Sequence, residues 1–492
     1  MVKPKTSQNP VAVLSVASEC VPLVKTGGLA DVVGALPQSL ASEGYSFRTL
    51  LPGYPGLAAR LIKPKRVWAG KNIFGGPAKV LAGKTRKTDG SLDVLLLDAP
   101  HLFDRPGSIY LGPDGTDWPD NPERFAALSW VAAEISQKGL NDGWRPEILH
   151  AHDWQAGLAP AYLKYAGNTS VSTIITIHNI AFQGLAPSKL LRKLRLPASQ
   201  FTRDGFEYWG KISALKAGLI TADAITTVSP TYAQELLEPE FGMGFEGVIQ
   251  SRKDCLYGIL NGVDLKTWNP KSDPDISVPF GLRTLDAKAK NTQALAKEFK
   301  IKKGTGPVIA IISRLTHQKG LDLVLEALPT LLERDARLIV LGSGDAALEK
   351  AFLKAAKDYP GRVSVNIGYN EAQSHRIYAG ADVMLVPSRF EPCGLTQLYA
   401  LRYGTLPLVT RTGGLADTVI DANDAAIKAG VATGVQFAPI TANALRHAVG
   451  RICDLFTNRD LWQKLQKRAM AHPVGWETSA QSYSTLYKSL SK

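Results

Sequence analysis

The chain has 492 residues, 45% hydrophobic and 21% charged, with 57 Lys and Arg against 44 Asp and Glu for a formal charge of +13. That size sets an expectation of two or three domains, and the balance is that of an ordinary soluble enzyme. No apolar run approaches the roughly 18–20 residues of a membrane helix. Four scattered cysteines without a Cys-x-x-Cys pair exclude a disulfide framework or a simple zinc site and point to a reducing cytoplasm.

In chain order, Lys3 and Lys5 ahead of Val11–Ser18 imitate a secretory signal. Ser15 and Glu19 break the run, so Val11–Val16 reads as a buried first strand. The loop after it holds Lys25-Thr26-Gly27-Gly28, and a helix opens at Leu29 with Asp31 in its first turn. Two glycines before a helix let a phosphate approach backbone N–H groups, and Lys25 adds a mobile charge. The alternative is a tight structural turn, since the spacing is neither the dinucleotide fingerprint nor the Walker loop. Strands are then expected at Phe47–Leu51, Leu92–Leu97, Glu147–His150, Thr173–Ile177, Ala224–Val228 and Leu256–Leu260. Helices are expected at Pro122–Glu134, Gly157–Tyr165, Lys211–Thr221 and Pro230–Leu237, which makes a repeated βα pattern and a doubly wound parallel sheet. Asp98–Asp120, rich in Gly, Pro and Asp, reads as a surface excursion.

Two strand ends in this half are unusually polar: His150-Ala-His152-Asp153-Trp154-Gln155, and His178-Asn179 ahead of Phe182-Gln183-Gly184. Such groups can bind several sugar hydroxyls while an aromatic ring covers an apolar sugar face. The plainer alternatives are a helix N-cap for Asp153, a satisfied core histidine for His178 and core packing for Trp154.

Around Trp268–Pro307 the chain turns polar and proline-bearing, which closes a first domain. A helix is expected at Ala287–Phe299, and a second βα series begins with strand Val308–Ser313. Arg314 and Lys319 share the loop after that strand. A planar fork and a point charge together are a stronger phosphate signal than either alone, although two surface cations would look the same. Strand Arg337–Leu341 leads into Gly342-Ser343-Gly344, and strand Val363–Ile367 follows. Strand Asp382–Pro387 then ends in a loop with Arg389, Glu391, Cys393 and Gly394 before a helix from Leu395–Thr396 to Arg402. Strand Leu406–Val409 ends at Arg411-Thr412-Gly413-Gly414. Helix starts after parallel strands seat anions. A carboxylate beside such a seat fits a ligand that carries both an anion and neutral hydroxyls, as a sugar diphosphate does. Thr26–Asp31 and Thr412–Asp417 repeat one hexapeptide, but they follow strands of different rank, so duplication is not inferred. Trp476–Ser491 has the spacing of a final helix docked on a domain surface.

Taken together, these residues resemble the bacterial glycogen synthases and plant starch synthases that use ADP-glucose. The matching pieces are KTGGLADVVGALP, HAHDWQAGL, TIHNIAFQG, FGMGFEG, GILNGVD, ISRLTHQKG and RFEPCGLTQLYALRYG, in the family's order over nearly the whole chain. The resemblance implies an α/β protein of GT-B type, with two Rossmann-like doubly wound domains facing across a deep cleft. It implies domains over 1–268 and 269–470 and a C-terminal helix over 471–492 that packs back on the first. The implied reaction is retaining transfer of glucose from ADP-glucose to the non-reducing end of an α-1,4-glucan, with no metal and no cofactor. The implied catalytic residues are Arg314, Lys319, Glu391, His178 and Asp153. Arg314 and Lys319 would face the diphosphate, Glu391 would hold the transferred glucose, and Asp153 and His178 would lie on the sugar side. Lys25, Gly28, Asp31, Asn179, Gly342, Gly344, Cys393, Gly394, Leu395 and Thr396 would line the ADP-glucose site. Many members of the wider superfamily carry a second glutamate eight positions after the first. Tyr399 stands there in this chain, and no role is assigned to it.

Other readings are a transferase using UDP-glucose or another acceptor, a non-catalytic glucan or nucleotide binder, and a nucleic-acid binder suggested by the charge. The last lacks a concentrated basic stripe with interleaved aromatics. The densest cationic groups, Lys63–Arg66 and Lys302–Lys303, are short, so neither nucleic acid nor membrane is expected as a partner.

Overall fold

A computed structural model of the protein describes residues 10–86, 90–167 and 170–490. Lys3, Lys5 and Ser491 lie outside the described residues. The chain divides into two units: one runs to Val228 and adds Ala233–Leu260 and the segment from Trp476 on; the other comprises Ser229–Tyr232 and Asn261–Gly475.

The first unit is built on β1 (Val11–Val16), β2 (Tyr45–Pro52), β3 (Ile62–Gly70), β4 (Ala78–Lys84), β5 (Asp93–Asp98), β6 (Ile148–His152), β7 (Ser172–Ile177), β8 (Leu185–Pro187), β9 (Glu207–Tyr208), β10 (Lys211–Ser213), β11 (Ala224–Thr227) and β12 (Leu256–Gly258). Among the described residues its main sheet runs β12-β11-β7-β6-β1-β2-β5-β4-β3, with every pair parallel except the antiparallel β5–β4 and β4–β3 pairs at one edge. Read as ranks along the chain, the parallel strands lie in the doubly wound order, with a reversal between β1 and β6. The apolar alternation of β1 explains its central place. Val13 faces a cluster with Tyr45, Phe47, Tyr483 and Tyr487, while Leu14 and Val16 face another with Leu50 and Leu96. The first cluster is closed by helix Glu477–Leu490, whose Tyr483 and Tyr487 are fully buried.

One sequence expectation is corrected here, and one hairpin is added. Lys211–Thr221 is not one helix: Lys211–Ser213 is β10, the middle strand of a small antiparallel sheet with β8 and β9. The helix begins at Ala214 because the Ser213 hydroxyl accepts from the Lys216 N–H and caps it. The β3–β4 hairpin was not anticipated; KPKR and the bulges in its register hide the alternation of an exposed edge strand.

The second unit holds β13 (Val308–Ile312), β14 (Arg337–Gly342), β15 (Val363–Ile367), β16 (Val383–Val386), β17 (Leu406–Thr410) and β18 (Val435–Phe437). The order is β15-β14-β13-β16-β17-β18, all parallel, which is the Rossmann order 3-2-1-4-5-6 with its reversal between β13 and β16. All residues of β13, β14, β16 and β17 are buried, as expected of strands covered on both faces. Val263 and Trp268 belong to this unit's core.

Candidate active site

In open parallel sheets, ligands bind beyond the strand ends where the strand order reverses. In the second unit that point lies between the loops after β13 and β16, which carry Arg314 and Lys319 on one side and Glu391 on the other. The two loops are laced together. The Arg389 guanidinium donates to both Asp322 carboxylate oxygens, at 2.7 and 2.6 Å, and to the His317 carbonyl at 2.8 Å. The Arg389 N–H donates to the Gln318 carbonyl. Gly320, with φ +63°, brings the chain so close that a Cβ there would sit 2.0 Å from the Pro387 carbonyl oxygen.

This lacing places Lys319 Nζ 2.6 Å from Glu391 Oε2, with side-chain exposures of 16% and 8%. The same oxygen accepts from the buried Ser388 hydroxyl at 2.7 Å, and Thr410 in turn holds the Ser388 carbonyl. An ammonium carries three protons, so Lys319 retains donors for further acceptors. Arg314 differs: it is exposed, and its side chain makes no ion pair with the described residues. Cys393 is buried, and burial pushes its thiol up to about 12, which makes it inert. Gln397, which sequence reasoning passed over, donates to the carbonyls of Cys393 and Gly394 and to Thr418. It fixes the turn into helix Thr396–Arg402, which Leu395 precedes, while Thr396 bonds Tyr378. Gly394 takes φ +68° in that turn. A Cβ on Gly414 would meet the Cys393 carbonyl at 2.3 Å, and the Gly414 N–H donates to the Glu391 carbonyl.

Gly342 and Gly344 follow β14, and each has a backbone reason to be glycine. A Cβ would stand 1.9 Å from the Ser313 carbonyl oxygen or 2.5 Å from that of Leu315. Tyr399 stacks on Trp268 at 3.8 Å, and Trp268 stacks on His375 at 3.9 Å, so this position is an aromatic packing site. Among the described residues, Asp273, Asp275 and His375 are grouped closely enough to hold a cation. Asp273 already accepts from His375, Tyr403 and the Asp275 N–H.

The reversal point of the first unit lies between the loops after β1 and β6. Lys25 pairs with Asp31 at 2.8 Å, so both stand at the start of helix Gly28–Ala41. The N–H groups of the glycine loop are partly engaged. The buried Glu19 carboxylate accepts from Thr26 N–H, from Thr26 Oγ1 at 2.6 Å, from Gly27 N–H at 3.3 Å and from Tyr110 OH at 2.6 Å. Both glycines are exposed, and Gly28 is the first residue of the helix. Glu19 escaped the sequence reading because only the folded loop brings Thr26 and Tyr110 to it. The repeated hexapeptide is used differently in the second unit, where Asp417 accepts from the Thr231 N–H and hydroxyl.

Asp153 is not a side-chain helix cap. It holds φ +54°, a costly conformation for a buried non-glycine residue, and its Oδ1 accepts from the N–H groups of His178 at 2.7 Å and Asn179 at 3.4 Å. Burial pushes its carboxyl up to about 7, against the pull of those two N–H groups. The strain buys a junction between the β6 and β7 strand ends. Asn179 Oδ1 accepts from Ala181 N–H in a local turn, and Trp154 packs edge-on against Phe125. The buried His150 and His152 and the half-buried His178 form an imidazole series, with His150 stacked on His152 at 4.3 Å. Burial lowers His150 and His178 to about 3 and His152 well below its usual range, so all three are neutral.

Residues 12–251 match the family model of the starch synthase catalytic domain, and residues 293–469 match that of the glycosyl transferases group 1. The chain is 57% identical to a glycogen synthase of Paracoccus denitrificans over 97% of its own length and 99% of that protein's. It is 55% identical to one from Roseobacter denitrificans, over 97% and 99%. The chain belongs to the glycogen synthase family. Among solved structures, the catalytic domain of starch synthase IV from Arabidopsis thaliana, bound to ADP and acarbose, superposes with a TM-score of 0.87. It is 30% identical and covers 98% of this chain and 100% of that one. Sucrose-phosphate synthase from Thermosynechococcus elongatus, at 16% identity and TM-score 0.57 over 98% and 99%, shares the fold. This glycogen synthase family member is therefore a glycosyltransferase with two Rossmann-like units of the GT-B class.

Proposed function

We propose that the chain transfers glucose from ADP-glucose to the non-reducing end of an α-1,4-glucan with retention at the anomeric carbon, releasing ADP. The observation that carries this reading is the Lys319–Glu391 pair at the strand-order reversal of the second unit. A fixed cation there meets the negative charge that grows on the leaving diphosphate, and Arg314, exposed and without an ion pair among the described residues, adds a planar fork. Glu391 keeps that cation in place and faces the sugar, where positive charge develops. Cys393, Gly394, Leu395 and Thr396 supply backbone beside it, and Gly342 and Gly344 keep the neighbouring strand end close. On the first unit, Lys25, Gly28 and Asp31 serve the donor, and Asp153, His178 and Asn179 serve the sugar. The ADP and acarbose bound by the Arabidopsis enzyme support a nucleotide sugar and a glucan as the substrates here. The four unpaired cysteines fit a cytoplasmic setting.

Retention by double displacement needs a carboxylate ready to attack. Glu391 Oε2 is held by two donors, and Asp153 Oδ1 is spent on two backbone N–H groups. Neither is set up as a nucleophile, which favours a front-side route in which the departing phosphate takes the acceptor's proton. Two measurements test the reading. ADP-glucose is expected to outcompete UDP-glucose as donor, and preference for UDP-glucose would overturn the donor assignment. Mass spectrometry of the enzyme quenched during turnover is expected to show no glucosyl adduct on Glu391; an adduct would replace the front-side route with double displacement.

A further inference from the structure

We infer that Ser15 and His152 are positioning residues that fix His178 in one tautomer, with its proton on Nδ1 and that N–H presented as a neutral hydrogen-bond donor to a sugar hydroxyl. The hydroxyl assignment rests on the glucosyl-transfer reading; the tautomer does not.

β1, β6 and β7 are adjacent in the sheet, and their register sets Ser15 opposite His150 and His152 opposite Thr176. The strand ends therefore line up three side chains. The Ser15 hydroxyl lies 3.2 Å from His152 Nε2, and His152 Nδ1 lies 3.0 Å from His178 Nε2. Ser15 and His152 are fully buried, and stacking on His150 holds the His152 ring plane.

The direction of the chain follows from counting donors. Among the described residues, the Ser15 hydroxyl has no hydrogen-bond partner other than His152 Nε2. A buried O–H without an acceptor costs more than a hydroxyl oxygen with a lone pair to spare, so Ser15 donates and Nε2 accepts. A neutral imidazole has one N–H, so the proton of His152 is on Nδ1, and it donates to His178 Nε2. The proton of His178 is then on Nδ1. That nitrogen has no hydrogen-bond partner among the described residues, and His178 is only half-buried. The low basicity that burial gives the ring keeps this donor uncharged, which suits a hydroxyl oxygen rather than a phosphate. The backbone N–H of His178 is held independently by Asp153. Position and proton are thus set by different partners.

The test is the long-range nitrogen–proton correlation spectrum of ligand-free protein labelled with ¹⁵N-histidine, with signals assigned by His152→Gln and His178→Gln. His152 and His178 are expected as neutral rings protonated on Nδ1 at pH 7. A proton on Nε2 of His178, or a charged ring, would overturn the inference. Ser15→Ala is expected to mix the His178 tautomers and to lower kcat about 10-fold, the worth of one hydrogen bond, with the glucan KM within about twofold. Ser15→Thr, which keeps the hydroxyl, is expected to restore both readouts. Unchanged tautomer and turnover in Ser15→Ala, or equal loss in Ser15→Thr, would contradict it. The wild-type spectrum decides the tautomer even if a variant misfolds. Failure of the wild type to transfer glucose would sink the substrate reading while leaving the tautomer standing.

Discussion

Lys319 and Arg314 share one loop but answer to different partners, and their substitutions separate the two. Lys319→Ala removes the ion-pair partner of a buried carboxylate and is expected to lower kcat by about 10²–10³ and also to destabilise the fold by a few kcal/mol. Arg314→Ala is expected to cost comparable activity but only about 0.5 kcal/mol of stability, because nothing in the described fold leans on it. Chemical denaturation beside initial rates checks both; an equal stability loss in the two variants would contradict the distinction. Glu19→Gln weakens the bonds to Thr26 and Gly27 and is expected to raise the donor KM several-fold with the glucan KM unchanged, read from steady-state kinetics. An unchanged donor KM would mean that the loop needs no such anchor. At this scale the sequence revealed residue types at strand ends: Arg314, Lys319, Glu391, Asp153 and His178 announced themselves as charged or polar groups after apolar runs. What it hid were the partners. Ser388 and Gln397 sit only three or four positions from the groups they hold, but their side-chain types do not mark them as anchors, and no local spacing encodes a contact between Glu19 and Tyr110 across 91 positions.

Elements were legible where one face rule governed them. β1 and β15 have the bounds read from the sequence: β1 is a short apolar run, and β15, Val-Ser-Val-Asn-Ile, alternates β-branched and polar residues at the sheet edge. The β3–β4 hairpin and the start of the helix at Ala214 were not legible, because edge pairing and a serine cap depend on neighbours rather than period. Two elements invite tests. Gly320→Ala places a methyl on the Pro387 carbonyl at a positive φ, and it is expected to unlock the Lys319 loop and reduce activity at least 10²-fold while leaving the rest of the second unit folded. Near-wild-type rates in that variant would show that the two loops need no fixed spacing. Tyr487→Ala removes a fully buried ring that packs on Tyr45 and Phe47 and bonds His150, and is expected to cost about 3–5 kcal/mol. Thermal unfolding of the variant measures this; a change below 1 kcal/mol would mean that helix Glu477–Leu490 is only loosely docked.

For the molecule as a whole, the neutral imidazole series links stability to pH. Unfolded histidines take up protons near pH 6.5, whereas His150 and His178 in the fold resist until about pH 3 and His152 resists well below its usual range. The unfolded chain therefore binds more protons over that window, and stability falls as pH drops from about 6.5 toward 3. Asp153 acts with the opposite sign: its carboxyl, raised to about 7 in the fold, favours the folded state as pH drops from about 7 toward 4. Three protons against one leave acid destabilisation as the net result, and denaturation midpoints measured at pH 7 and pH 5 are expected to fall accordingly. The two-unit α/β architecture was readable from the repeated βα pattern. That each strand order reverses beside the candidate residues was not, because pairing order is a tertiary fact. The central claim is that fixed cations on this fold drive glucosyl transfer from ADP-glucose to a glucan. Its most direct test is incubation of the full chain with ADP-[¹⁴C]glucose and glycogen: labelled α-1,4-glucan and an equal amount of ADP are expected, both falling about 10²–10³-fold in Lys319→Ala, whereas ADP without labelled glucan, or no turnover by the wild type, would contradict it.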